Sequence, residues 1–193
     1  MSSKHRPVDG AWTIEQLLRA ESTGARLKFL PFWGHKPPVD GAIGPHVFSQ
    51  WFANAFEHDG TRYATAEHFM MAGKARLFAD DDALNRILAA RTPAQAKAIG
   101  REVQRFSPVI WDAECLAIVT RGSIAKFSSS PELCTYLLGT GDRVLVEASP
   151  RDRIWGVGMG RNNPSIERPS EWRGRNLLGF ALMNARATLA QQP

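Results

Sequence analysis

A chain of 193 residues with 44% hydrophobic and 22% charged side chains has the length and composition of one globular domain, which excludes a fibrous or wholly disordered protein. The net charge of +5 favours phosphate-bearing ligands or nucleic acid through the long-range field, although the charges are scattered and form no block. No apolar run reaches the ~18–20 residues of a membrane span, and Met1 to Pro7 lacks the hydrophobic core of a signal peptide, so a cytoplasmic protein without a membrane partner is expected.

In chain order, residues 1–24 read as an N-terminal arm with a short helix. Residues 1–12 carry no pattern, and Thr13-Ile14-Glu15-Gln16 has capping-box spacing for a helix to about Ala20. Residues 25–190 read as the folded domain. Leu27 to Leu30 and Val47 to Phe48 are expected strands, separated by a Pro- and Gly-rich stretch from Pro31 to Pro45. A structureless loop beyond ~12–15 residues is uncommon in a compact domain, which makes this stretch a candidate for function.

From Thr65 the period becomes helical. Thr65 caps a helix to about Phe78, Asp80 or Asp81 the next to about Ala90, and Thr92-Pro93-Ala94-Gln95 opens a third. Ser107-Pro108 opens a long helix to about Phe127, and Ser130-Pro131 another that Gly139 closes. Arg143 to Glu147 reads as a strand, Ser149 to Glu171 as mostly loop, and Asn176 to about Leu189 as a final helix with an apolar stripe. The expected fold class is therefore α+β, a helix-dominated single domain with a few short strands.

Neither cysteine, Cys115 nor Cys134, belongs to a CxxC pair, and the five histidines show no HxxxH or HExxH spacing, so buried thiols and no metal site are expected. In the Thr65 helix, Glu67 and Lys74 lie seven residues apart and share one face, with their Cα atoms ~10 Å apart along the axis, enough to accommodate a sugar. Glu67 also complements the helix dipole, and Lys74 also suits a solvated surface. The methionines and Phe69 beside Glu67 point to burial, and a buried carboxylate is costly unless used or paired.

Glu147 to Gly158 runs strand, loop, carboxylate, then tryptophan beside glycine. Trp155 offers a stacking face, Gly156 allows close backbone approach, and Asp152 lies nearby; core packing for Trp155 fits equally well. In the third stretch, Arg173, Arg175 and the amides at the helix start by Asn176 suit a phosphate. Arg101 adds a cation and Trp111 an aromatic wall or a core residue.

Together these segments resemble the NADAR or YbiA-like family. The resemblance is carried, in order, by Phe29, Phe32-Trp33-Gly34-His35, Phe48-Ser49-Gln50-Trp51-Phe52, Tyr63 to Lys74, Gly100-Arg101, Trp111, Lys126-Phe127, Glu147-Ala148-Ser149-Pro150 with Asp152, Trp155 to Gly158, and Trp172 to Arg186. It implies a YbiA-like fold over 25–190 that cleaves N-glycosidic bonds without a metal or other cofactor. The implied substrates are aminopyrimidine ribose phosphates of riboflavin synthesis, or ADP-ribosylated guanine, free or in DNA or RNA.

The positions that the resemblance and the residues single out are Glu67, Lys74 and Asp152 for catalysis. Phe32, Trp33, Gly34, Arg101, Trp111, Trp155, Gly156, Arg173, Arg175 and Asn176 are assigned to substrate. Gln50, Trp51 and Val157 depart from the commonest family pattern and leave the substrate open. The rival reading is a non-catalytic module that binds ADP-ribose, a nucleotide or nucleic acid with the same arginines and tryptophans and has no use for Glu67.

Overall fold

The computed structural model describes residues 12–192; the arm expected over residues 1–12 lies, apart from Trp12, outside the described residues. Helices α1 (Ile14–Ser22), α2 (Ala66–Leu77), α3 (Asp81–Ala89), α4 (Pro93–Arg101), α5 (Pro108–Ser128) and α6 (Pro131–Leu138) each begin behind a side-chain oxygen. The caps are Thr13, Thr65, Asp80, Thr92, Ser107 and Ser130, and each accepts the backbone amide three residues on. This satisfies one of the amide donors that a helix start leaves open and fixes where each helix begins. Helix α7 (Leu177–Leu189) starts differently, from Asn176 in the left-handed region at φ 55°.

Strand β1 (Phe29–Phe32) pairs in parallel with β4 (Val144–Glu147), with Phe29 opposite Val144 and Phe32 opposite Glu147. The strand expected at Leu27–Leu30 is thus shifted toward the C-terminus, because its partner register begins at Phe29. The expected strand at Val47–Phe48 is instead part of a 3-10 turn over Pro45–Phe48. Its two apolar residues are both buried without any ladder, which a short apolar pair does not distinguish from a strand. A hairpin absent from the sequence reading joins β2 (Phe56–His58) to β3 (Thr61–Tyr63). Its turn, Asp59-Gly60, has positive φ at both residues, 48° and 69°, the conformation that Asp-Gly supplies to a two-residue hairpin.

The core forms around α2, which is buried on nearly all sides between α3 and α4 on one flank and α5 on another. A helix wrapped in this way has no need of a polar stripe. Gly100 allows the closest approach, since a Cβ there would lie 2.1 Å from the Met71 sulfur. α4 therefore rests directly against α2. Helix α7 packs on α5 and on β4, completing a helix-rich α+β fold. Among the described residues no helix is long and apolar enough to cross a membrane.

Candidate active site

Glu67 lies in the first turn of α2, and only 2% of it is exposed. Its amide donates to the Gln50 carbonyl at 3.0 Å, which ties the helix start to the segment carrying Trp51. The Trp51 side chain is within hydrogen-bonding reach of the Glu67 carboxylate, while Oε1 of Glu67 is buried with no partner. Burial pushes this carboxyl up to about 7 and the nearby Asp152 charge adds to the rise; Lys97, Trp51 and Arg101 oppose it.

A second carboxyl faces the same space. Glu147 ends β4, and its Oε2 is also buried without a partner. Burial raises it to about 8, Asp152 and Glu67 push in the same direction, and Lys97 alone opposes them. An unpartnered buried oxygen costs stability unless a proton, a water or a ligand uses it. Two such oxygens, in carboxyls that both feel the charge of Asp152, make this the chemically unusual place in the fold.

The cations come from α4. Lys97 and Arg101 are spaced i, i+4 and so share a helix face, and both act on Glu67. The Lys97 ammonium also stands 6.0 Å from the centre of the Trp51 ring, and His35 meets that ring from another side at 5.8 Å. The Trp51 segment is held from below by Lys126 of α5, whose Nζ donates to the carbonyls of Val47 at 2.6 Å and Ser49 at 2.8 Å. This buried ammonium is lowered to about 7 by loss of solvation. His68 steadies the other side of the helix start: its Nε2–H donates to the Ala90 carbonyl at 3.1 Å, which leaves Nδ1 to accept from the Thr65 hydroxyl.

The far wall is a loop folded on itself. Asp152 Oδ1 accepts the amides of Ile154 and Trp155, both at 2.8 Å, and the Val157 amide returns to the Glu147 carbonyl at 3.0 Å. Gly156 is required by packing, since a Cβ would sit 2.8 Å from that same carbonyl oxygen. The loop therefore fixes Trp155 and Asp152 relative to Glu147. Asn176 braces the arrangement from beneath: it is fully buried, its Oδ1 accepts from the Glu147 amide and its Nδ2 donates to the Leu145 carbonyl, both at 2.9 Å.

The remaining expected positions are placed as follows. Lys74 is two turns along α2 from Glu67; its Nζ donates to the Gly100 carbonyl at 2.7 Å and sits 4.0 Å over Phe106 and 5.8 Å from the Trp111 ring, with burial lowering its pKa. Phe32 is core, its ring edge-on to Phe48 at 5.3 Å, and offers no surface to a ligand. Trp33 and Gly34 are exposed in the loop after β1.

The phosphate cradle expected at the start of α7 is corrected. The Leu177 and Leu178 amides already donate to the carbonyls of Ile154 and Trp155, so this terminus holds the loop instead. Arg175 pairs with Asp112 and lines a separate cleft of about 540 Å³ with Trp12, Trp172 and Phe180. Arg173 is exposed. Asn176, with both ends of its amide occupied, is a structural brace.

Four residues of the site were absent from the sequence reading as chemistry: Trp51, Glu147, Lys97 and Lys126. Glu147 reads as a polar strand end and Lys97 as a solvated helix residue. The available signal was Glu147 itself, the single acidic residue closing the apolar strand Val144-Leu145-Val146.

The NADAR domain model matches residues 31–190. An N-glycosidase of Acanthamoeba polyphaga mimivirus is 41% identical over 148 residues, covering 74% of this chain and 87% of that protein. The chloroplastic riboflavin biosynthesis protein PYRR of Zea mays is 33% identical over 181 residues, covering 79% of this chain and 27% of that protein. The NMR structure of the E. coli protein YbiA superposes with a TM-score of 0.66 at 24% identity, over 98% of this chain and 94% of that one, a likeness of fold. The chain belongs to the NADAR domain family.

Proposed function

We infer that this protein is an N-glycosidase that hydrolyses the bond between a base nitrogen and C1 of a phosphorylated ribose. The observation that carries the reading is the carboxyl pair Glu67 and Glu147, each with a buried, unpartnered oxygen, near Lys97, with Trp51 and Arg101 beside Glu67. Loss of a base from C1 builds oxocarbenium character, which an ionised carboxylate in a partly dry site stabilises strongly. Glu67, the carboxyl with three stabilising neighbours, takes that role and activates the attacking water. Trp155 or Trp51 stacks on the base, Arg101 and Lys97 hold phosphate, and Asp152 adds negative charge while shaping the Trp155 loop.

The first substrate class is an aminopyrimidine ribose phosphate, a reading supported by kinship with a riboflavin biosynthesis protein. The two cations on one face of α4 suit a diphosphate as well, which favours ADP-ribosylated guanine as the second class. Lys74 supplies a second route to C1: an amine whose pKa is lowered by burial can attack the sugar and form a Schiff base. Borohydride added during turnover separates the routes, since only the second leaves ribose phosphate fixed to Lys74.

The decisive experiment is base release by the purified protein from both substrate classes, with Glu67→Gln as control. Release from either, lost in the variant by a factor of about 10² or more, supports the glycosidase. No release from either, with ADP-ribose binding intact in both proteins, returns the reading to a binding module.

A further inference from the structure

The mechanism so far leaves the leaving group without a proton, and Glu147 is unused. Deepening the glycosidase reading on which it rests, we propose that Glu147 is the general acid, delivering its carboxyl proton to the departing base nitrogen while Glu67 works as the carboxylate.

The division of labour follows from what faces each group. Glu67, from α2, is turned toward Lys97 and Arg101 of α4 and the Trp51 side chain, three partners that favour its anion. Glu147, at the end of β4, faces Asp152 of the following loop and Glu67, both acidic, with Lys97 as the cation that acts on it among the described residues. From the paired strand β1 it meets Phe32, and from the α7 side the Asn176 amide, which is spent on the backbone. The buried Glu147 Oε2, which no donor meets, keeps a proton between two other carboxylates, whereas Glu67 gives its proton up beside two cations and an indole donor.

Balanced as bonds, the Glu147 O–H breaks and a base N–H forms while the C1–N pair leaves with the nitrogen. Water oxygen then bonds to C1 and its proton goes to Glu67. Transfer of that proton from Glu67 to Glu147, directly or through solvent, restores the starting state. The net change is hydrolysis. Backbone bonds fix the donor: the Glu147 amide is held by Asn176, and its carbonyl by the Val157 amide.

The test is the pH dependence of kcat/KM for base release by wild type, Glu147→Gln and Glu147→Asp, with thermal melts to show that each is folded. The wild type is expected to lose activity on the alkaline side as the acid ionises. Glu147→Gln should fall by about 10²–10⁴-fold and lose the alkaline limb, and Glu147→Asp should recover at least part of the rate with a limb of its own. Glu147→Gln within a few-fold of wild type, or with its alkaline limb intact, overturns the assignment, as do folded Gln and Asp variants that are equally inactive. If the wild type releases no base at all, the glycosidase reading itself is refuted and this one with it.

Discussion

Glu67 and Glu147 come from a helix start and a strand end that are distant in sequence; the Glu67 charge raises the proton affinity of Glu147, Asp152 raises that of both, and each buries an oxygen with no hydrogen-bond partner. Such a pair destabilises the protein that carries it. Relative to ordinary carboxyls near 4.5, both hold their protons to higher pH in the folded state, to about 7 and about 8. Between those limits the folded protein binds more protons than the unfolded chain, so their contribution to stability is complete below pH 4.5 and is lost as pH rises through 8. Glu67→Gln and Glu147→Gln should therefore each be more stable than wild type at pH 8, by on the order of 1–3 kcal/mol, and gain little at pH 4.5. Thermal melts at the two pH values check this; variants that melt lower than wild type at pH 8 contradict it.

Trp51→Phe keeps a ring for Lys97 and removes the side-chain hydrogen bond that steadies the Glu67 anion. Loss of a donor to the charged form raises an acid's pKa. The acid limb of the kcat/KM profile should accordingly move to higher pH by up to about one unit, with the alkaline limb little changed. An unmoved acid limb would show that Trp51 does not hold Glu67.

Lys126 carries the opposite pH sign. Its folded pKa, about 7 against an ordinary 10.5, means that the unfolded chain binds the extra proton between those values. Stability from this group alone rises with pH across that window, and Lys126→Met should flatten the rise. The variant also leaves the Val47 and Ser49 carbonyls without their donor, for a loss of about 1–3 kcal/mol, and should loosen Trp51. Chemical denaturation from pH 7 to 10 measures the slope, and base release at fixed pH measures the displaced tryptophan.

Asn176→Ala removes both braces of β4 and places a Cβ-bearing residue without local hydrogen bonds at φ 55°. Buried groups left unpaired and a left-handed residue together cost about 2–4 kcal/mol, so the melting temperature should drop by more than about 5 °C. Asn176→Gly escapes the backbone penalty only and should lie between alanine and wild type. If glycine and alanine lose equally, the hydrogen bonds carry the whole effect.

Six helices were legible because each begins with a local chemical signal: Thr13, Thr65, Thr92, Ser107 and Ser130 cap in the structure where the sequence places them, and of the two aspartates the sequence offers for α3 it is Asp80 that caps. The short strands were less so. Their identity depends on partners elsewhere in the chain, as the shift of β1 to match β4 and the 3-10 turn at Pro45–Phe48 illustrate. The β2–β3 hairpin did have a signal, Asp59-Gly60, but strands of three residues give no usable alternation. In the site, Glu67 was singled out because apolar neighbours surround it in sequence. Glu147, Lys97 and Lys126 gain their meaning from tertiary contact, which is invisible in a strand end or in a lysine on a helix.

The parallel pairing of β1 with β4 also sets an order of assembly. Capped helices close with contacts a few residues apart, whereas Phe32 and Glu147 meet only after nearly the whole domain lies between them. The entropy of joining so long a loop is recovered only when the strands pair. The two acids are thereby confronted late, after the helical scaffold has gathered enough burial to tolerate them. The cost of burying them is then expected to fall mainly on the native side of the folding barrier, where it hastens unfolding more than it slows folding.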